Sequence, residues 1–136
     1  MKTVTIQNTI NKEVNQVWEL WTAPEHIKHW NFASPEWHCP KAEHDLKVGG
    51  KLNYHMAAKD GSMAFDYTAT FTKLEPNELM EYQLDDGRKV TITFTANGDS
   101  TEVVETFEVE DENSIDMQRQ GWQAILDNFK QYVESK

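Results

Sequence analysis

Cysteine is almost absent from this chain: Cys39 stands alone. One cysteine closes no internal disulfide, so the fold must rest on its own core, and the chain suits a reducing compartment. Positive charge is also scarce. The sequence carries 13 Lys and Arg against 23 Asp and Glu, a formal net charge of −10. Phosphate backbones and anionic lipid surfaces call for clustered cations, which argues against nucleic acid and against membrane-surface partners. No apolar run approaches the ~18 residues of a spanning helix, and the opening MKTVTIQNTI has no signal-peptide core. The expectation is a cytoplasmic protein without membrane insertion. Several chemistries lack their motifs: there is no G-x-S-x-G elbow, no C-x-x-C pair and no phosphate-cradling glycine loop. Gly49-Gly50 opens a strand with no helix behind it, and nothing marks Cys39 as an activated nucleophile. No cofactor is expected.

What is present fits one globular domain over residues 1–136, with 38% hydrophobic and 26% charged residues and no linker or repeat. Residues 3–9 alternate as a first strand, Val4 and Ile6 facing inward. Val14, Val17, Trp18 and Trp21 stripe a helix over residues 12–21, with Asn11 as its expected N-cap. Thr22-Ala23-Pro24-Glu25 resembles a capping box and opens a second short helix ending near Trp30. Pro35 and Pro40 bracket an irregular segment containing Trp37.

From Lys41 to Val109 the period is two. Asp60-Gly61, Pro76-Asn77, Asp86-Gly87 and Asn97-Gly98-Asp99 are turn signals, so this region predicts an antiparallel meander of about six strands. One parity is apolar: Leu52, Tyr54, Met56; Phe65, Tyr67, Ala69, Phe71; Met80, Tyr82, Leu84; Val90, Ile92, Phe94; and Val103, Glu105, Phe107. The other is rich in threonine. Such a one-sided sheet needs a cover. Ser114 to Ser135 supplies it, a helix of roughly 33 Å whose apolar stripe is Ile115, Trp122, Ile125, Leu126, Phe129 and Val133. Gln118 interrupts that stripe. Gly121 on its shoulder is expected to let helix and strand approach closely.

This order of elements resembles the α+β helix-grip fold shared by START lipid-transfer domains, birch-pollen-allergen-like proteins and polyketide cyclases. Val17-Trp18, Trp21-Thr22-x-Pro24-Glu25 through Trp30, Asp45-Leu46-Lys47-Val48-Gly49-Gly50, Asp60-Gly61, Asp86-Gly87-Arg88, Glu105-Thr106-Phe107 and Gln118-x-x-Gly121-Trp122 together resemble the branch named after the C-terminal domain of the heat-shock-protein-90 ATPase activator. The resemblance covers the whole chain. It implies a hydrophobic cavity between helix and sheet that takes a lipid-like or aromatic, polyketide-like small molecule. It also implies two alternatives, a polyketide cyclase or hydrolase-like enzyme and a co-chaperone module with a chaperone partner. The last has less support, because the chain carries only the one domain.

Candidate ligand-binding residues are Trp30, Trp37, His38, Tyr54, Met56, Phe65, Tyr67, Tyr82, Phe94, Glu105, Gln118 and Trp122. Aromatic side chains on an apolar face either pack as core or line a pocket. Two inward tyrosines favour the pocket, since buried phenols need partners. Glu105 is the sharpest anomaly. It either turns to solvent at a bulge, pairs with Arg88 or Arg119, or serves as a polar anchor or acid/base in the cavity. Gln118 either bonds within the fold or presents its amide to a ligand. His26, His29, His38, His44 and His55 match no metal-ligand spacing, so no metal is expected.

Overall fold

The computed structural model describes residues 2–136. The chain runs β1 (Thr3–Ile10), α1 (Val14–Thr22), α2 (Pro24–Ile27), β2 (Trp37–His44), β3 (Lys51–Ala58), β4 (Ala64–Glu75), β5 (Leu79–Leu84), β6 (Lys89–Asn97), β7 (Ser100–Glu108) and α3 (Ile115–Glu134). All seven strands form one curled antiparallel sheet in the order β1-β7-β6-β5-β4-β3-β2. This is the helix-grip α+β fold. The β2–β7 meander follows chain order because tight turns join its strands; Gly87 (φ 99°) and Asn77 (φ 67°) hold the left-handed conformations that two of them require. β1 returns to the far edge beside β7, with Thr3 opposite Glu108.

The alternation sorts the two faces as expected. Val4, Ile6, Leu52, Ala69, Phe71, Met80, Tyr82, Leu84, Val90, Ile92, Phe94, Val103 and Phe107 are all buried on the concave side. The opposite face is a polar network: Thr72 donates to Glu81 at 2.7 Å, Thr68 to Asp85 at 2.6 Å, and Thr5 meets Thr106 at 3.1 Å.

α3 is capped by Ser114, whose hydroxyl accepts from the Met117 amide at 3.1 Å. The helix lies along β1 and does not spread evenly over the sheet. Its polar flank fastens it there. Asn8 donates to Asp127 at 2.8 Å, Gln123 to the Gln7 carbonyl at 3.3 Å, and Lys130 to the Thr9 carbonyl. The Asn11 amide donates to Glu134 at 2.8 Å. These contacts satisfy edge-strand groups that would otherwise template foreign pairing. The C-terminal half of α3 then packs into a closed aromatic core with α1, α2 and β6. Trp21 lies 4.7 Å from Phe129 and 5.7 Å from Phe94, and Trp30 lies 4.8 Å from Phe129.

Local expectations differ in four places. Asn11 does not cap α1; the helix starts later, behind Glu13, because the Asn11 backbone is drawn to Glu134. Thr22 forms no capping box. Its hydroxyl turns back to the Trp18 carbonyl at 2.8 Å, and Ala23 stands at the N-cap before Pro24. α2 ends at Ile27, ahead of Trp30. The segment around Trp37 is the start of β2, whose register shifts between His38 and Lys41 at Pro40. β2 tolerates that proline because it is an edge strand.

Candidate functional site

The strands bring one group of expected residues together on the part of the concave face that α3 covers least. Tyr54 on β3 stands directly opposite Tyr67 on β4, with rings stacked 6.4 Å apart. Tyr67 meets Tyr82 of β5 edge-on at 6.1 Å, and their hydroxyls are hydrogen-bonded at 3.0 Å. Trp122 reaches across from α3. It lies 6.3 Å from Tyr67 and stacks flat on Phe107 at 4.1 Å. Glu105 sits two residues before Phe107, on the same face of β7.

Glu105 is 6% exposed, so its carboxyl points into the molecule and not to solvent. Neither arginine pairs with it: Arg88 binds Asp86 at 2.8 Å, and Arg119 faces Asp116 at 3.4 Å. Its carboxyl makes no hydrogen bond among the described residues, yet neither oxygen is sealed off, so the carboxyl borders a small unfilled space. Burial pushes its pKa up to about 8. Burial likewise raises the Tyr67, Tyr82 and Tyr54 phenols well above their ordinary value. Tyr54 and Tyr67 nevertheless keep accessible surface.

The Tyr54 hydroxyl shares a hydrogen bond of 2.8 Å with His44 Nδ1. Burial lowers the His44 imidazole below its ordinary value, opposed by the Thr22 backbone. That shift favours the neutral ring, and its tautomer sets which of Nδ1 and the phenol donates. From the sequence His44 is weighed only as a metal ligand. The missed signal was its parity, for His44 pairs with the inward Leu52 once Pro40 is accepted inside a strand.

Other expected residues lie elsewhere. Trp30 and Phe94, 4% and 3% exposed, belong to the closed core, and the Trp30 indole donates to the Leu20 carbonyl at 3.1 Å. Met56 is buried opposite Phe65, and Trp37 tilts against Phe65 at 5.9 Å, with His38 half-buried beside it. Phe65 has the inward parity but is 50% exposed, because the β3–β4 hairpin projects past the elements that cover the sheet. Gln118 is buried with its amide engaged: it accepts from the Glu110 amide at 2.9 Å and donates to the Glu110 and Asn113 carbonyls at 3.1 and 2.9 Å. It locks the β7–α3 connection. Gly121 does not mediate close packing; a Cβ built there meets nothing within 4 Å. The helix shares its tight contacts with β1 through its other flank, and Gly121 borders open space between Gln118 and Ile125.

Two open clefts lie outside the aromatic group. One, of about 490 Å³, is lined largely by Glu43, Asp45, Lys51, Asn53, Thr68 and Asp85, the polar parity. The other, of about 500 Å³, adjoins Val14, Glu78 and Thr95. Among the described residues no three His, Cys, Asp or Glu side chains are grouped to hold a metal ion, and no helix is long and apolar enough to cross a membrane.

Known proteins share this fold over nearly the whole chain. A solution structure of an AHSA1-like protein from Aeromonas hydrophila is 44% identical, covers 98% of this chain and 93% of its own, and superposes with a TM-score of 0.92. A protein from Cytophaga hutchinsonii is 47% identical over 98% of this chain and 92% of its own, with a TM-score of 0.85. A Chromobacterium violaceum protein, 21% identical over 98% of this chain and 99% of its own, shares the fold at a TM-score of 0.89. No curated protein matches. The sequence pattern described as activator of Hsp90 ATPase homolog 1-like protein matches residues 11–134. With the sheet, the gripping helix and this match extending over nearly every residue, the chain belongs to the activator of Hsp90 ATPase homolog 1-like family.

Proposed function

We propose that this domain binds a hydrophobic, lipid-like or aromatic small molecule between α3 and the β3–β5 part of the sheet. Family and fold are those of a ligand-binding or co-chaperone-like module. The observation that carries the finer reading is the incomplete cover. α3 is fastened to β1, and across the sheet Tyr54, Tyr67 and Trp122 meet ring to ring without being sealed. A core built only to pack would close over these rings, as it does around Trp21 and Phe129. A flat or flexible apolar guest enters by parting Trp122 from Tyr67, exchanging one aromatic contact for another. Met56, Trp37, His38 and Phe65 form the outer rim at the projecting hairpin.

The test is titration with fatty acids, sterols and flavonoid-like compounds, following backbone amide shifts. Shifts confined to Tyr54, Tyr67, Tyr82, Glu105 and Trp122 support the site; a panel that moves none of them removes it. The catalytic alternative requires Glu105 to hold a polar partner within hydrogen-bond reach, and it has none among the described residues. The co-chaperone alternative draws on exposed Val48, Met63, Phe65 and Met117, and recovery of no chaperone in a pull-down counts against it.

A further inference from the structure

We infer that the guest in this site carries an organic cation, an ammonium group seated against Glu105 and enclosed by the surrounding rings. The inference rests on the proposed binding site and names the chemistry of its polar end.

Four observations lead there. First, Glu105 is nearly sealed from solvent, has no hydrogen-bond partner among the described residues and borders unfilled space. Buried carboxyls are normally paired, so a lone one facing a gap is completed by something that enters it. Second, no described residue supplies the positive charge. The neighbours of Glu105 across β1 and β6 are Ile6 and Ile92, and the buried side chains of α3 and α1 are uncharged. Facing it from β4 and β5 are the Tyr67 and Tyr82 phenols, and the nearby Arg88 is committed to Asp86.

Third, the rings near that carboxyl stand at steep angles to one another. Tyr67 stands at 88° to Tyr82 and at 67° to Trp122, and Trp122 lies flat over Phe107. Aromatic faces set at angles around a small space attract ammonium groups through their quadrupoles, most strongly where water is excluded. Fourth, the chain's net charge of −10 favours approach of a cation and disfavours an anion. A guest carboxylate would bring its own charge into the same desolvated space with no cation to pair it, so fatty acids are poor guests on this reading.

Binding has a balanced proton account. With its carboxyl held near pKa 8, Glu105 is mainly protonated at neutral pH. An entering ammonium converts it to the carboxylate, and the carboxyl proton leaves to solvent; no bond to the guest forms.

Phenethylamine, phenethyl alcohol and phenylacetate share one ring and differ at the polar end. Calorimetric titration of the full chain with each, at neutral pH, tests the inference. The amine is expected to bind more tightly than the alcohol, and repeating the titration at pH 8.5 should widen that preference about tenfold, because there the carboxyl is already largely ionised and no proton need be released. Phenylacetate is expected to bind more weakly than either. In Glu105→Gln the amine should fall to the alcohol's affinity while the alcohol changes little. The carbon shift of the Glu105 carboxyl, followed in the unaltered protein, should move to the carboxylate value with the amine alone. Equal affinities for amine and alcohol, or an amine preference surviving in Glu105→Gln, overturn the cation reading and leave the apolar site standing. Failure of all three to bind overturns both.

Discussion

Replacing Glu105 by glutamine removes the titration and keeps the shape, so its effect on stability can be worked out. Unfolded, the carboxyl titrates at its ordinary 4.5; folded, burial lifts it to about 8. Below 4.5 both states hold the proton and the site costs nothing. Between the two values the folded state keeps one proton that the unfolded state has lost, so stability falls as pH rises. It levels off once pH passes the folded value. Each pH unit in that interval is worth about 1.4 kcal/mol. The cost is therefore roughly 3 kcal/mol at pH 6.5 and roughly 4.5 kcal/mol at pH 8.5, a loss of about 2 kcal/mol across the interval. The window is well chosen. The lowered carboxyls of Glu36, Asp60 and Glu134 act at more acidic pH, and the lowered His44 acts below 6.5; all four raise stability as pH rises, the reverse of Glu105. Cys39 and the three tyrosines act at more alkaline pH. Urea unfolding of the two proteins across pH 6.5 to 8.5 should show the natural chain losing stability and Glu105→Gln holding nearly flat. Parallel curves would show that Glu105 is ionised in the folded state, and the account of a lone carboxyl beside a dry gap would be refuted.

Three further outcomes follow from the glycines and the buried amide. Gly50→Ala should destabilise by about 2 kcal/mol or more in denaturant unfolding, since its Cβ would come within 2.0 Å of the Asp45 carbonyl oxygen, a backbone atom that cannot swing aside. Gly121→Ala should do the reverse, raising stability by about 1 kcal/mol, because it adds helix propensity where the new methyl meets open space; a loss would show that strand and helix do approach there. Gln118→Ala strips three hydrogen bonds from the β7–α3 connection and should cost about 2–3 kcal/mol, with amide exchange rising first over residues 110–118.

The sheet was legible because a period of two, once its turns are placed, decides the face of every residue. That is why Glu105 could be assigned inward from its neighbours Val103 and Phe107 alone. The closing helix was legible for the same reason at a different period. What the pattern could not carry was placement by polar side chains. Asn8, Gln123, Asp127 and Lys130 look like ordinary surface residues, yet they fix α3 to β1 and so decide which rings stay uncovered. Gln118 read as a flaw in an apolar stripe because its partners, Glu110 and Asn113, lie in a loop of no regular period. Trp30 and Phe94 resembled Tyr54 and Tyr67 in sequence; only the third dimension separates a closed core from an open one. Phe65 shows the remaining limit, since parity gives a direction but not the length of the element above.

The fastening of α3 to β1 also has a kinetic consequence. Asn8 meets Asp127 across 119 residues, and Asn11 meets Glu134 across 123. Between them lies a meander whose hairpins can zip locally. The first strand cannot be completed by anything near it in the chain; it waits for β7 on one side and for the last helix on the other. Such distant closure places the fold among slow folders, in the range of milliseconds to seconds. During synthesis on the ribosome the meander would stand half-assembled, with the β1 carbonyls of Gln7 and Thr9 bare until the final turns of helix emerge.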